Sequence, residues 1–241
     1  MKSAVVQVPA FEEGPTMLRV LREIAEQDVP DGWRVEFQVW VTLSPPDREL
    51  CDTWQAALEA EGFTPFEAPP GKLSARNEAH DAAVEDGFDV IVSWDADARP
   101  LRDDALASLL ETVSQDGVVC ANSRPVSRGD GVFGAVVDVA AGAEDVLLPH
   151  VNGQAHAITA AAWEQAGPFD TDLDQTVITD VRAEEEFSFY RRLSAIGRVT
   201  TAPGAAVEND MRRNWCKVPL LGQSGYCDTR GERTFQPRER R

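Results

Sequence analysis

A short apolar run, residues 4–8, opens the chain and is stopped by Pro9 ahead of the polar stretch 11–14, the mark of a strand entering a loop. Pro15 stands where a first helical residue tolerates proline. From there Met17, Leu18, Leu21, Ile24 and Ala25 recur at helical spacing until Val29 and Pro30 break the pattern. The same alternation repeats. Residues 35–43 are rich in Val, Phe and Trp, as a strand requires, and residues 47–60 put Leu50, Trp54, Ala57 and Leu58 on one helical face closed by Gly62. A short strand over 63–66, a helix over 72–85 and a compact apolar strand over 88–94 follow. A helix over 103–113 and a strand over 118–121 complete the first half.

Strands alternating with helices predict an α/β fold, a three-layer sandwich with a mostly parallel central sheet whose ligands gather at the carboxyl ends of the strands. The second half is less regular. It offers a weak strand over 132–139, another over 155–158, a short helix over 160–165 ended by Gly167 and Pro168, and a loop over 170–180. A helix over 181–196 closed by Gly197 and a short strand around Val199 come last. The expected organisation is one domain with two halves, 1–121 and 122–207, followed by a basic segment, 208–241.

Charge narrows the partners. The 241 residues carry 41 acidic and 23 basic side chains, a formal charge of −18, and a field of that sign repels phosphate backbones, so nucleic acid is not an expected partner. The acid-rich composition with only Lys2, Lys72 and Lys217 as lysines resembles proteins adapted to concentrated salt, and a halophilic host is expected. The charge is uneven: residues 1–181 sum to −22 and residues 182–241 to +4, so an anionic ligand would be served by the second region. No apolar run is long enough to span a bilayer and no secretory signal opens the chain, so the expected location is the cytoplasm. Cys51, Cys120, Cys216 and Cys227 lack C-x-x-C spacing and read as reduced structural thiols.

The chemistry concentrates where the most apolar strand ends, in Ser93-Trp94-Asp95-Ala96-Asp97. Two carboxylates at the exit of a buried strand can hold a hard divalent cation against a nucleotide diphosphate. The bare D-x-D pattern also occurs at Asp170-Thr171-Asp172 and Asp172-Leu173-Asp174, but those matches sit in a polar loop. Gly129-Asp130-Gly131-Val132-Phe133-Gly134 fits a dinucleotide fingerprint in letters only, because no strand precedes it directly and no helix follows. Gly71-Lys72 fails as a phosphate loop, since Phe66 replaces the first glycine and Leu73 the hydroxyl residue. His80, His150 and His156 have no paired metal spacing and read as structural, with His156 beside Gly153-Gln154 the one nearest to chemistry. Glu184, Glu185 and Glu186 open a helix, where carboxylates suit the macrodipole or serve as a general base.

Taken in order, Val8-Pro9-Ala10-Phe11-Glu12-Glu13, Gly71-Lys72 with Ala75-Arg76-Asn77, the pair Asp95 and Asp97, and the glutamates ahead of Arg192-Leu193-Ser194-Ala195-Ile196-Gly197 resemble the motifs of glycosyltransferase family 2, over residues 3–207. The resemblance implies a GT-A-like fold and metal-dependent, inverting transfer of a sugar from a nucleotide-sugar donor to a hydroxyl acceptor, a glycan or lipid-linked group among the candidates. It implies that Pro9, Ala10 and Glu13 line the nucleotide pocket, with Lys72, Arg76 and Asn77 near the diphosphate or base. Asp95 would face the ribose or the metal, Asp97 would hold Mg2+ or Mn2+, and the catalytic base would be Glu186 with Glu185 beside it. Arg212 and Arg213 would fold over the diphosphate. The chain departs from the family in ending its second strand, Val41-Thr42-Leu43-Ser44, without an aspartate to read the base. A sugar nucleotidyltransferase and a non-catalytic nucleotide-sugar-binding protein are the alternative readings.

Overall fold

The computed structural model describes residues 1–10, 15–42, 55–69, 71–127, 151, 153–171, 182–209, 226–227 and 233–234. Its frame is an eight-stranded sheet in the order β3-β2-β1-β4-β7-β6-β8-β5. The strands are β1 (Lys2–Ala10), β2 (Trp33–Thr42), β3 (Thr64–Ala68), β4 (Val90–Trp94), β5 (Arg99–Pro100), β6 (Val118–Ser127), β7 (Ala155–Thr159) and β8 (Arg198–Asn209). The pairs β1–β2, β2–β3, β1–β4 and β6–β8 are parallel, whereas β7 runs against β4 and β6, and β5 runs against β8. Apart from it, β9 (Tyr226–Cys227) and β10 (Arg233–Thr234) pair antiparallel.

Alternation along each strand divides the core between the two faces. On one face Ala4, Val6 and Val8 of β1 join Val90, Val92 and Trp94 of β4 under α1 (Pro15–Ala25) and α3 (Ala105–Val113). Leu106, Leu109 and Leu110 of α3 are fully buried there, each contributing about 1.5–3 kcal/mol of apolar transfer. On the other face Val5, Ile91, Cys120 and Ile158 meet α2 (Lys72–Glu85), α4 (Ala160–Ala166) and α5 (Arg182–Ile196). The three expected layers are therefore present, and β6 carries the sheet across the boundary drawn at residue 121.

Most differences from the sequence expectation concern strand ends. β1 continues through Pro9 to Ala10, because beyond Gln7 it is paired only with β2, and a residue without an N–H is tolerated where the other edge has no ladder. β6 continues past Ala121 through Pro125 for the same reason: β7 pairs only as far as Asn122, and β8 alone accompanies the rest. β8 is 12 residues long rather than a short strand around Val199, although Pro203 and Gly204 interrupt its apolar pattern. The expected helix over 47–60 is described only at 55–60. The weak strand over 132–139, the glycine pattern 129–134 and most of the 170–180 loop lie outside the described residues.

Candidate functional site

Asp95 is the first residue past β4 and keeps the alternation of that strand, facing α2 as Ser93 does. Its two carboxylate oxygens accept from two cations: Arg76 Nη2 donates to Oδ1 at 2.7 Å and Lys72 Nζ to Oδ2 at 3.0 Å. Lys72 and Arg76 lie one helical turn apart on α2, which is why both reach one group. The same Arg76 nitrogen donates to Gly153 O at 2.6 Å, and the Asp95 amide donates to Gln154 O at 2.7 Å, so the loop before β7 is tied to the site by its backbone. Burial pushes the Asp95 carboxyl up, but the charges of Lys72 and Arg76 outweigh it and hold the group below the ordinary carboxylate value. Asp97 follows two residues later, half-buried in the turn after β4.

The amino end of α2 concentrates positive charge. Gly71 precedes the helix at φ 104°, a conformation that favours glycine, with no side-chain cap, and the first turn holds no acidic residue but begins with Lys72. A lysine at the positive end of the macrodipole favours a bound anion. Asn77, one residue past Arg76, is engaged elsewhere. Its Nδ2 donates to Phe169 O at 2.9 Å and its Oδ1 accepts from Phe169 N at 2.8 Å. Phe169 in turn packs on Phe189 of α5, ring centroids 4.3 Å apart, and Arg192 of α5 donates to Pro168 O at 2.8 Å. Asn77 thus clips the helix carrying Lys72 and Arg76 to the helix carrying the three glutamates.

Of the residues named from sequence, Lys72, Arg76, Asp95 and Asp97 gather at the carboxyl end of β4. Pro9 and Ala10 end the neighbouring β1, and Glu184, Glu185 and Glu186 lie near the start of α5. Glu13, Arg212 and Arg213 lie outside the described residues. Among the described residues no three His, Cys, Asp or Glu side chains gather as a metal site.

A row of polar residues beneath the site went unrecognised in the sequence. Gln38, Gln7, Ser93, His156 and Asn122 stand side by side on β2, β1, β4, β7 and β6, each in register with the next. All five are buried. Each is a buried polar residue on its strand, and that the five form one row is visible only when the register is known. Gln7 bonds Gln38 Oε1 at 3.0 Å, the Ala79 carbonyl and His80 Nδ1, the last at 2.9 Å, linking the row to α2. Burial drives the His80 pKa well below its ordinary value, and His156 and Arg76 push the same way. The unfolded chain takes up a proton here as the pH falls through about 6.5 and the fold does not, so stability will decline below that value. The slope from this group is about 1.4 kcal/mol per pH unit. Urea melts between pH 7 and pH 5 measure it, and His80→Phe will flatten the curve relative to the parent.

Neither a protein-family model nor a curated protein sequence matches the chain. Solved structures do. The mannosyltransferase PcManGT from Pyrobaculum calidifontis, in complex with GDP-Man and Mn2+, superposes with a TM-score of 0.64 at 20% identity, covering 89% of this chain and 61% of that one. GalNAc-T7 with UDP, GalNAc and Mn2+ gives 0.63 at 16% identity, covering 87% of this chain and 44% of that one. A glucosyl-3-phosphoglycerate synthase from Mycobacterium tuberculosis, with Mn2+, UDP-glucose and phosphoglyceric acid, gives 0.53 at 16% identity over 83% of this chain and 69% of that one. The chain spans less than two thirds of the first two. It has the GT-A fold, as the sequence motifs led us to expect. Among the described residues no helix is long and apolar enough to cross a membrane.

Proposed function

We propose that the chain transfers a sugar from a nucleotide-sugar donor to a hydroxyl acceptor, with inversion at the anomeric carbon. The observation that carries this reading is the convergence of Lys72, Arg76 and Asp95 beside the amino end of α2, at the carboxyl ends of the parallel strands β1 and β4. That position suits the diphosphate of a donor, with Pro9 and Ala10 at the end of β1 bordering the nucleoside and Glu13 and Arg213 completing the pocket. The glycosyltransferases with the same fold that bind GDP-Man, UDP-glucose or UDP, together with Mn2+, support it.

The donor set fits a hard cation in one respect and not in another. Both Asp95 oxygens are engaged by Lys72 and Arg76, so Asp95 orients those cations and the ribose, whereas Asp97 would hold Mg2+ or Mn2+. Such an ion, when bound, neutralises charge on the departing diphosphate. In the transfer itself Glu186, or Glu185 beside it, takes the proton of the acceptor hydroxyl as its oxygen attacks the anomeric carbon. The bond from that carbon to the diphosphate oxygen breaks on the opposite face, and Lys72 meets the leaving charge.

A thermal-shift panel of nucleoside diphosphates and their sugar conjugates, with and without Mn2+, tests the reading. A donor at a hundred times its Kd adds about 2.7 kcal/mol of stability. We expect one base series to raise Tm, more strongly with Mn2+, and the matching sugar conjugate to release nucleoside diphosphate when an acceptor is supplied. A panel without any shift overturns donor binding, and pyrophosphate release from a triphosphate favours nucleotidyl transfer instead.

A further inference from the structure

The Gln7 amide has only one possible orientation, because only its NH2 group can bond the Ala79 carbonyl. Its Oε1 therefore faces His80 Nδ1, and since an amide oxygen only accepts, Nδ1 carries the ring proton. In a ring kept neutral by burial, Nε2 is then a bare lone pair. That nitrogen is buried and has no hydrogen-bonding partner among the described residues, and the same holds for Ser93 Oγ and Arg76 Nε. The three belong to one layer: Ser93 is in register with Gln7 on the adjacent strand, and Arg76 is one turn before His80 on α2. A buried donor or acceptor left unpaired destabilises the fold. Together they offer one acceptor, one N–H donor and one hydroxyl able to do either, the complement of a single water molecule.

We propose that His80 Nε2, Ser93 Oγ and Arg76 Nε enclose a structural water beneath the site, and that through it His80 is a positioning residue for the Arg76 guanidinium. The water accepts from Arg76 Nε–H and donates to His80 Nε2, with the Ser93 hydroxyl completing its shell. Arg76 is then fixed at two edges, Nε on the water and Nη2 on Asp95 and Gly153 O, which sets the plane it presents to Asp95. Without the water it is held at Nη2 alone and can pivot. The role in donor binding rests on the reading of Asp95 given above; the tautomer and the water do not.

Nitrogen-15 NMR of the parent protein reads the tautomer directly, and a high-resolution crystal structure reads the water. We expect a neutral His80 protonated at Nδ1 and one ordered water within hydrogen-bonding distance of the three atoms. A proton on Nε2, an imidazolium at neutral pH, or a dry site overturns the proposal. In transfer assays His80→Leu is expected to raise the donor KM about tenfold with kcat nearly unchanged, and His80→Gln, which restores an acceptor, to recover most of it. Unchanged donor KM in His80→Leu removes the positioning role. Should that variant not fold, Ser93→Ala, which deletes one hydroxyl, carries the same expectation of a raised donor KM. If the tautomer and water are as expected but Asp95→Asn leaves donor affinity intact, the donor-site reading fails while the water site stands.

Discussion

Asp95→Ala will melt about 6–20 °C below the parent chain and lose affinity for nucleoside diphosphates. Arg76, 2% exposed, would keep Gly153 O but lose the carboxylate that balances its charge, and an uncompensated buried charge costs about 3–5 kcal/mol. In a chain of this length each kcal/mol moves Tm by about 2–4 °C. Lys72→Gln separates the two consequences. Its side chain is 46% exposed, so the pair with Asp95 contributes about 1 kcal/mol or less to the fold, yet loss of a charge-assisted contact will weaken diphosphate binding by about tenfold. Asp97→Ala will remove the Mn2+-dependent part of binding and turnover. Calorimetry on the three variants, with and without nucleotide, checks all of this. An Asp95→Ala protein that melts with the parent would show that the carboxylate does not balance Arg76. One that still binds nucleotide would take Asp95 out of the donor site.

The alternation of strands and helices was legible because each element keeps its own period: α2 is found at 72–85 as the helical pattern requires, and β4 and α4 differ from expectation by two residues or fewer at each end. Strand ends were not legible wherever a proline stood in a half-paired segment, as at Pro9 and Pro125. Local propensity says stop there, and the answer depends on which neighbour supplies the ladder. Lys72, Arg76 and Asp95 could be nominated from motifs, but not their mutual pairing. That pairing comes from a helix turn meeting a strand exit, a distance of 19 to 23 residues in sequence. Asn77 carried no hint that both ends of its amide would be spent on Phe169. The polar row under the site is the clearest case: Gln7, Ser93 and His156 each look like a blemish in an apolar strand, and only adjacency across the sheet makes them one feature.

Glu186→Gln will lower kcat by about 10²–10⁴ while leaving the donor KM close to the parent value, because a general base acts on the acceptor proton and not on the nucleotide. Helical periodicity narrows the choice among the three glutamates. Phe189 and Leu193, both fully buried, define the inward stripe of α5, and at 3.6 residues per turn positions 185 and 186 lie within about 60° of Phe189 whereas position 184 lies well away. The place of the helix is fixed by contacts among the described residues. It is set by the Phe189 packing, by Arg192 on Pro168 O, and by Gly197, where a Cβ would collide with the Val119 side chain. The glutamine variants are therefore expected to fold, and a loss of turnover reads as lost chemistry. In the parent, kcat falls at acidic pH as the base takes up a proton, and that limb will vanish from the residual activity of Glu186→Gln. Glu185→Gln will cost less than about tenfold and keep the limb. A reversed pair of results moves the base one residue along the helix, and full activity in both variants removes the general-base role from Glu185 and Glu186.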